Sequence, residues 1–492
     1  MRTRIQNMEM LLSSGHLPGR KAMLQILEAG LRASDPYPNA RQLIRLENGN
    51  LIVGDREFEP AGSPRSGNEV YDLSRTGRIY VIGAGKGIQH VAKAIEDVLG
   101  NRLAGGHVID KKGHPVILER IGVTLGGHPT PDDDCVKGCQ RILEMTKDLT
   151  EKDLVFTCVG NGVSSLLTLP AAGLTVEDLR RTTLVTQIER GMPTRELSPI
   201  RNHLDRMKGG RISRYIHPAK MIHILSIDPG EYDQLMRQNY WLHTLPDCST
   251  FQDAMDSLKR YDALGAVPPA VRKHLEEANP EEETLKAKDF EKLDFRIFGL
   301  MPGFRQSGKL LPAMRKAEEL GFKAVIVTDE LMEIEASQAG IYLASMANTI
   351  EGRGQPFEPP CALFSSGELI VTVGQKKGMG GRNQEFALSA ALKIAGSENI
   401  IIASVDTDGT DGPGPQFSDA STDMACLAGG IVDGQTVALA KKMGVDIIEA
   451  LKQHNTTPAL WKLNSGVVAT PNISLIDLTV ALIMGGSVKG KR

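Results

Sequence analysis

Short β-branched and aliphatic runs alternate with longer segments of helical period through most of the chain, the pattern of parallel α/β layers. The first clear unit has Arg78–Gly83 as a strand, then a glycine turn, then Ile88–Leu99 as a helix closed by Gly100. Further strands are expected at His107–Ile109, Gly122–Gly126, Leu154–Val159 and Met221–Ile227, with a helix over Asp134–Leu149. Between Glu276 and Asp294 the chain turns almost wholly charged and polar, which sets a boundary between an N-terminal domain, 1–290, and a C-terminal domain, 291–492. The second series expects strands at Phe295–Met301, Lys323–Thr328, Leu369–Val373 and Ile400–Val405, with a helix over Leu310–Leu320. Ser63–Arg75 and Gly352–Pro360 read as surface loops, and neither half shows an internal repeat. The fold class expected is α/β in two domains, the first a doubly wound, Rossmann-like parallel sheet.

Composition narrows the function. With 492 residues the chain can bury a substantial core, and a formal net charge of −3 offers no electrostatic footprint for nucleic acid or an anionic membrane surface. The longest apolar runs, such as Leu478–Met484, fall far short of the roughly twenty residues needed to cross a bilayer. The N-terminus has basic residues without a signal-length apolar core, and the six cysteines are scattered, so a soluble cytoplasmic protein with a small-molecule partner is expected.

Candidate chemistry sits in glycine-rich turns. The run GQKKGMGGRNQEFAL, Gly374–Leu388, follows a strand-like stretch and leads into a helix. Its glycines permit close backbone approach to an anion, and Lys376, Lys377 and Arg382 supply charge. The loop DTDGTDG that follows offers Asp406, Asp408 and Asp411 as hard oxygen ligands for a cation or for hydroxyl activation. VIGAGKGIQHVAKA, Val81–Ala94, is a strand, turn and helix with Lys86 inside the turn; Ile88 stands where a dinucleotide fingerprint needs its third glycine. MPGFRQSGKL, Met301–Leu310, misses a P-loop by one residue, because Leu310 replaces the magnesium-binding hydroxyl. In GGHPTPD, Asp132–Asp134 caps a helix and His128 lies at a strand's carboxyl end. Asn161, Ser164 and Ser165 lie in VGNGVSS, a third glycine turn, while Lys208 belongs to a basic stretch that starts at Arg201.

Taken together, these segments resemble the class II glycerate 2-kinase family, whose C-terminal half carries the MOFRL region. The likeness rests on GMGGRNQEFAL, TDGTDGP, GAGKG, GGHPTPD, HLDRMKGG and DCSTFQDAMDSLKRYDA, which occur in the family's order. It implies a C-terminal α/β domain of MOFRL type, an active site in the interdomain cleft, and transfer of the γ-phosphoryl group of ATP, with Mg2+, to a hydroxyl of D-glycerate. The resemblance places Lys86 and Arg382 at the reacting centre, with Asp408 as a catalytic group and Asp406 and Asp411 as metal ligands, the division among the three aspartates being open. Gly85, Asn161, Ser164, Ser165, Lys208, Gly378, Gly380, Gly381, Asn383 and Glu385 complete the expected phosphate- and substrate-binding set, and the assembly allowed is a homodimer.

Departures from that pattern concentrate in the N-terminal half. A triple-glycine SGGGS becomes Gly160-Asn161-Gly162-Val163-Ser164, setting a bulky residue beside the expected anion site, and SDVPGD becomes Ser226-Ile227-Asp228-Pro229-Gly230-Glu231. SGPT becomes Trp241-Leu242-His243-Thr244, an upstream asparagine becomes Ser198, and the serine of HLS becomes Asp205. An extra stretch, Gly414–Ser418, follows the acidic loop. These changes point to an acceptor acid other than glycerate, or else to a ligand-binding relative without catalysis. A nicotinamide-dependent hydroxypyruvate reductase, with Asp110 as its ribose acid, is the other alternative.

Overall fold

The computed structural model describes residues 3–302, 310–374, 376, 378–412, 424–473 and 477–485. The chain divides into two compact units, Asp35–Phe304 and a second formed by Met1–Ser34 with Arg305–Arg492.

The first unit opens with a small antiparallel meander, β1 (Ile44–Glu47), β2 (Asn50–Val53) and β3 (Glu69–Asp72). Part of the expected loop Ser63–Arg75 is therefore a strand, one that buries a single side chain, Tyr71, and so shows little apolar pattern. The main sheet follows: β4 (Ile79–Ala84), β5 (Gly105–Lys111), β6 (Gly122–Gly126), β7 (Leu154–Val159), β8 (Lys220–Leu225) and β9 (Phe295–Gly299). All neighbours are parallel, and the spatial order is β6-β5-β4-β7-β8-β9. Numbered from β4, that is the doubly wound order 3-2-1-4-5-6. β7 is buried along its whole length, which is why it reads as a continuous apolar run. Helix Gln89–Leu99 ends at Gly100, whose φ of 49° takes the left-handed stop.

β9 is the edge of this sheet, hydrogen-bonded to β8, so the polar stretch ahead of it runs inside the first unit. That differs from the boundary expected at 290/291: charge there marks a solvated connection rather than the end of a core.

The second unit holds a mixed sheet of β10 (Lys323–Thr328), β11 (Cys361–Gly367), β12 (Ile400–Asp406), β13 (Gly429–Asp433), β14 (Gly466–Val467) and β15 (Asp477–Ile483), in the order β10-β11-β15-β12-β13-β14. Among the described residues of this sheet, only β10 and β11 pair in parallel. β15, the run too short to span a membrane, lies inside the sheet: Leu478, Val480 and Leu482 face one core and Ala481 and Ile483 the other. The first core includes helix Leu17–Ala33, anchored by a fully buried ion pair of 2.6 Å between Arg20 and Asp433. The expected strand Leu369–Val373 does not form; apart from one bridge at Ile370 it is irregular, because β15 already fills the place beside β11. The near P-loop's residues 303–309, Lys377, and the insertion Gly414–Ser418 lie outside the described residues.

Candidate functional site

In a 3-2-1-4-5-6 sheet the connections leaving the first and fourth strands run to opposite faces, opening a crevice at their carboxyl ends. Here those strands are β4 and β7, and their turns carry Gly85-Lys86-Gly87 and Gly160-Asn161-Gly162. The two turns are stitched together: Lys86 N donates to Asn161 O at 2.8 Å, and Gly160 N to Ala84 O at 3.2 Å. A Cβ on Gly85 would stand 2.8 Å from the Gly160 Cα, so glycine here allows the turns to touch. Gly162, at φ 81°, lies against Lys86 and His128: a Cβ there would meet the lysine Cγ at 2.8 Å and the imidazole at 3.1 Å. The structure therefore brings Gly85, Lys86, His128, Asn161 and Gly162 together from three separate turns. Lys86 itself is largely buried.

Beside this crevice, Ser164 Oγ is 2.8 Å from His243 Nε2. Burial, then the positive charges of Lys208 and Arg201, hold the His243 pKa well below its ordinary value, so the imidazole is neutral. Ser165 turns away, its buried hydroxyl donating to Gly127 O at 2.9 Å, which ties this turn to the His128 loop. Lys208 is committed inside the fold. Its amine donates to Asp205 Oδ2 at 2.5 Å and Thr168 Oγ1 at 3.0 Å, and both members of the ion pair are buried.

In the second unit Arg382 begins helix Arg382–Lys393 and fans its guanidinium over three carboxylates. Nε reaches Asp477 at 2.9 Å, Nη2 reaches Asp406 at 3.0 Å, and Nη1 reaches Glu368 at 3.1 Å. Register explains the need: antiparallel β12 and β15 set Asp406 directly opposite Asp477, a like-charge pair the guanidinium offsets. Burial works against the arginine's charge, yet the fields of Asp477, Glu368 and Asp406 hold its pKa well above the ordinary value.

Asp411 caps the same helix, accepting from Asn383 N at 3.2 Å and Gln384 N at 3.0 Å. The anion at this helix N-terminus is thus the chain's own carboxylate. Burial pushes its pKa up to about 6 despite Arg382 and the two amides, and burial pushes Asp477 up as well. The glycines before the helix serve close packing. A Cβ on Gly381 would strike the Asp411 carboxylate at 2.3 Å, and on Gly378 and Gly380 it would run into residues 453–456. Asn383 is fully buried and bridges Asp477 and Asp411, while Glu385 pairs with His454 Nδ1 at 2.7 Å. Asp408 is fully buried, with Oδ1 accepting from the Thr410 amide at 2.6 Å and its hydroxyl at 2.8 Å. Among the described residues no group of three or more His, Cys, Asp or Glu side chains forms a metal-ligand set. With Asp411 engaged by amides and Asp406 by Arg382, these aspartates as arranged do not fit a magnesium ion.

Comparison with known proteins decides the family. A family model described as a domain of unknown function, DUF4147, matches residues 22–276, and the MOFRL family model matches residues 361–474. Glycerate 2-kinase of Pyrococcus horikoshii is 34% identical over 94% of this chain and 97% of its own length. The chain belongs to the glycerate 2-kinase family. D-glycerate 2-kinase of Thermotoga maritima is 32% identical over 88% of this chain and 97% of its own. The crystal structure of the Thermotoga maritima glycerate kinase matches at a TM-score of 0.66 and 29% identity, covering 94% and 99% of the two chains.

Seen as a glycerate 2-kinase family member, the chain's altered glycine turn is less disruptive than its sequence suggests. Val163 begins the short helix Val163–Leu166 and points into the core at 1% exposure, while the left-handed position falls on Gly162, where glycine is kept. The expected obstruction beside the turn is absent. Asp205 gains a purpose as the counter-ion of Lys208. Sequence reasoning missed Asp477, Glu368 and His454; Asp477 lies 71 residues beyond Asp406, and only strand register brings them face to face.

Proposed function

We propose that this protein is an ATP-dependent kinase that transfers the γ-phosphoryl group to a hydroxyl of a small hydroxy acid. The observation that carries the reading is the near-full-length relationship to glycerate 2-kinases, together with a lysine at the switch point of a doubly wound sheet. Phosphoryl transfer asks mainly for positioning and for charge stabilisation of the transferring group. In this proposal Lys86 supplies positive charge to the phosphoryl oxygens, and the Gly85–Gly87 and Asn161–Gly162 turns set the backbone around them. The acceptor's hydroxyl oxygen forms the new bond to phosphorus as the bond to the ADP oxygen breaks. Asp408 remains proposed for the hydroxyl proton, while its internal hydrogen bonds support a role in shaping its loop. No step is assigned to a metal held by Asp406 and Asp411.

Asp110 weighs against the reductase alternative. Oδ1 accepts from Gly87 N at 2.8 Å and Lys111 N at 2.7 Å and lies 3.0 Å from His114 Nδ1, and Oδ2 accepts from Gln89 Nε2 at 3.0 Å. A carboxylate buried in the fold and held by four neighbours in this way is not open to a ribose hydroxyl.

No helix among the described residues is long and apolar enough to cross a membrane, and the cytoplasm is the setting we propose. The test is ADP release from ATP and magnesium with C3 to C6 sugar acids, with NADH absorbance followed in parallel. Acid-dependent ADP release that Lys86→Ala abolishes supports the kinase. Acid-dependent NADH oxidation without ADP release would replace it with the reductase.

A further inference from the structure

With Lys208 neutralised by Asp205, another cation must meet the negative end of an acid. Arg201, near the end of helix Thr194–His203, stands out: among the described residues it forms no ion pair, and its Nη2 donates to Gln187 Oε1 at 2.6 Å. Burial alone pulls its pKa down to about 10. A half-buried guanidinium held by a neutral amide has been desolvated without a counter-ion, an arrangement that costs stability unless an anion completes it.

Its surroundings carry unspent polar capacity. Buried side-chain atoms without a partner among the described residues include Ser198 Oγ and Asn202 Oδ1 on Arg201's helix, and His243 Nδ1 and Thr244 Oγ1 on the loop beside it. The two segments are tied by Asn202 Nδ2 donating to Tyr240 O at 2.8 Å. Buried polar atoms are nearly always satisfied, so four exceptions on two joined segments leave hydrogen-bonding capacity for a ligand or bound water. His243 links this patch to the crevice, since it bonds Ser164 at 2.8 Å and lies within the field of Arg201. As whole residues Ser164 and Arg201 are both half-buried.

We propose that Arg201 binds the carboxylate of the acceptor acid together with the Ser164 hydroxyl, and that His243 is the positioning residue that fixes that hydroxyl. The proposal rests on the kinase reading for its substrate class. It selects dissociated hydroxy acids over neutral polyols, and it sets His243, one of the departures from the related motif, where it bears on which acid is accepted.

Steady-state kinetics on the full chain test it, with D-glycerate and D-gluconate as acids and glycerol as the uncharged probe. A hydrogen bond to a charged group is worth roughly tenfold to a hundredfold in affinity. Arg201→Met should therefore raise the acid KM by about that much while kcat moves less than threefold and the ATP KM stays put. Arg201→Lys should recover part of the loss, glycerol turnover should be unaffected, and His243→Phe should raise the acid KM less than Arg201→Met does. An acid KM within twofold of wild type in Arg201→Met, or an ATP KM rising in step, overturns the proposal. Should Arg201→Met fail to fold, Arg201→Lys decides, since a wild-type acid KM there also counts against it. If wild type releases no ADP with any acid, the kinase reading fails separately. The site is then judged by D-glycerate-induced thermal stabilisation, which must be present in wild type and lost in the Arg201 variant.

Discussion

Lys86 and Arg382 are both cations that the family resemblance sets at the reacting centre, but their surroundings demand different tests. Lys86 sits between glycine turns, and its removal should cost catalysis while the fold survives. Lys86→Ala is expected to lower kcat/KM by about 10²–10³, comparable with deleting one charge-stabilising donor, at nearly unchanged melting temperature. Arg382 compensates Asp477, Asp406 and Glu368, so Arg382→Ala leaves buried carboxylates unpaired and should destabilise the second unit by about 3–5 kcal/mol. Denaturant titration checks this; equal stability of Arg382→Ala and wild type would mean the carboxylates find other partners. Loss of activity in Arg382→Ala is consequently poor evidence for a role in the reaction, whereas Arg382→Lys with intact stability is a cleaner probe.

At the scale of elements, two glycines separate function from packing. Gly162 combines a left-handed φ of 81° with contact to Lys86, so Gly162→Val should displace the lysine and lower activity at least tenfold, with circular dichroism unchanged. Gly381→Ala drives a Cβ into Asp411, the cap of helix Arg382–Lys393, and should cost about 1–2 kcal/mol, the range of a lost N-cap. Several elements were legible in sequence. β6, β7 and β10 fall where apolar runs and flanking turns place them, and Lys86 was found from a strand–glycine–helix pattern. β15 is not legible as a strand, because a short, mostly apolar run looks alike whether it lines a sheet interior or a helix. The run at 369–373 shows the converse: its propensity is right for a strand, and β15 has taken the partner it would need.

For the molecule as a whole, the second unit should respond to pH through its carboxylates. Asp411, with its folded pKa raised to about 6, binds a proton more tightly folded than unfolded. Its contribution is fully present below the ordinary carboxylate pKa of about 4 and is lost as pH rises through about 6. The melting temperature should therefore fall from about pH 4 to about pH 6.5 and level off above, and Asp411→Asn should flatten that slope; an unchanged slope in the variant would remove Asp411 as the cause. The N-terminal helix Leu17–Ala33 belongs to the same unit. Arg20→Ala should destabilise it by about 3–5 kcal/mol, because Asp433 is then buried without its cation, holding only backbone amides.

By itself the sequence determined what depends on local order: alternating strands and helices, glycine turns at strand ends, Lys86 within one of them, and the family that those motifs share. The tertiary structure decided what depends on partners far along the chain. It assigned Arg382 to a cluster of carboxylates, gave Asp411 to a helix N-terminus, neutralised Lys208 with Asp205, and among the described residues left Arg201 without a counter-ion. The physical reason is that a side chain's type fixes what it can bind, whereas burial, strand register and competing neighbours determine whether that capacity is already used.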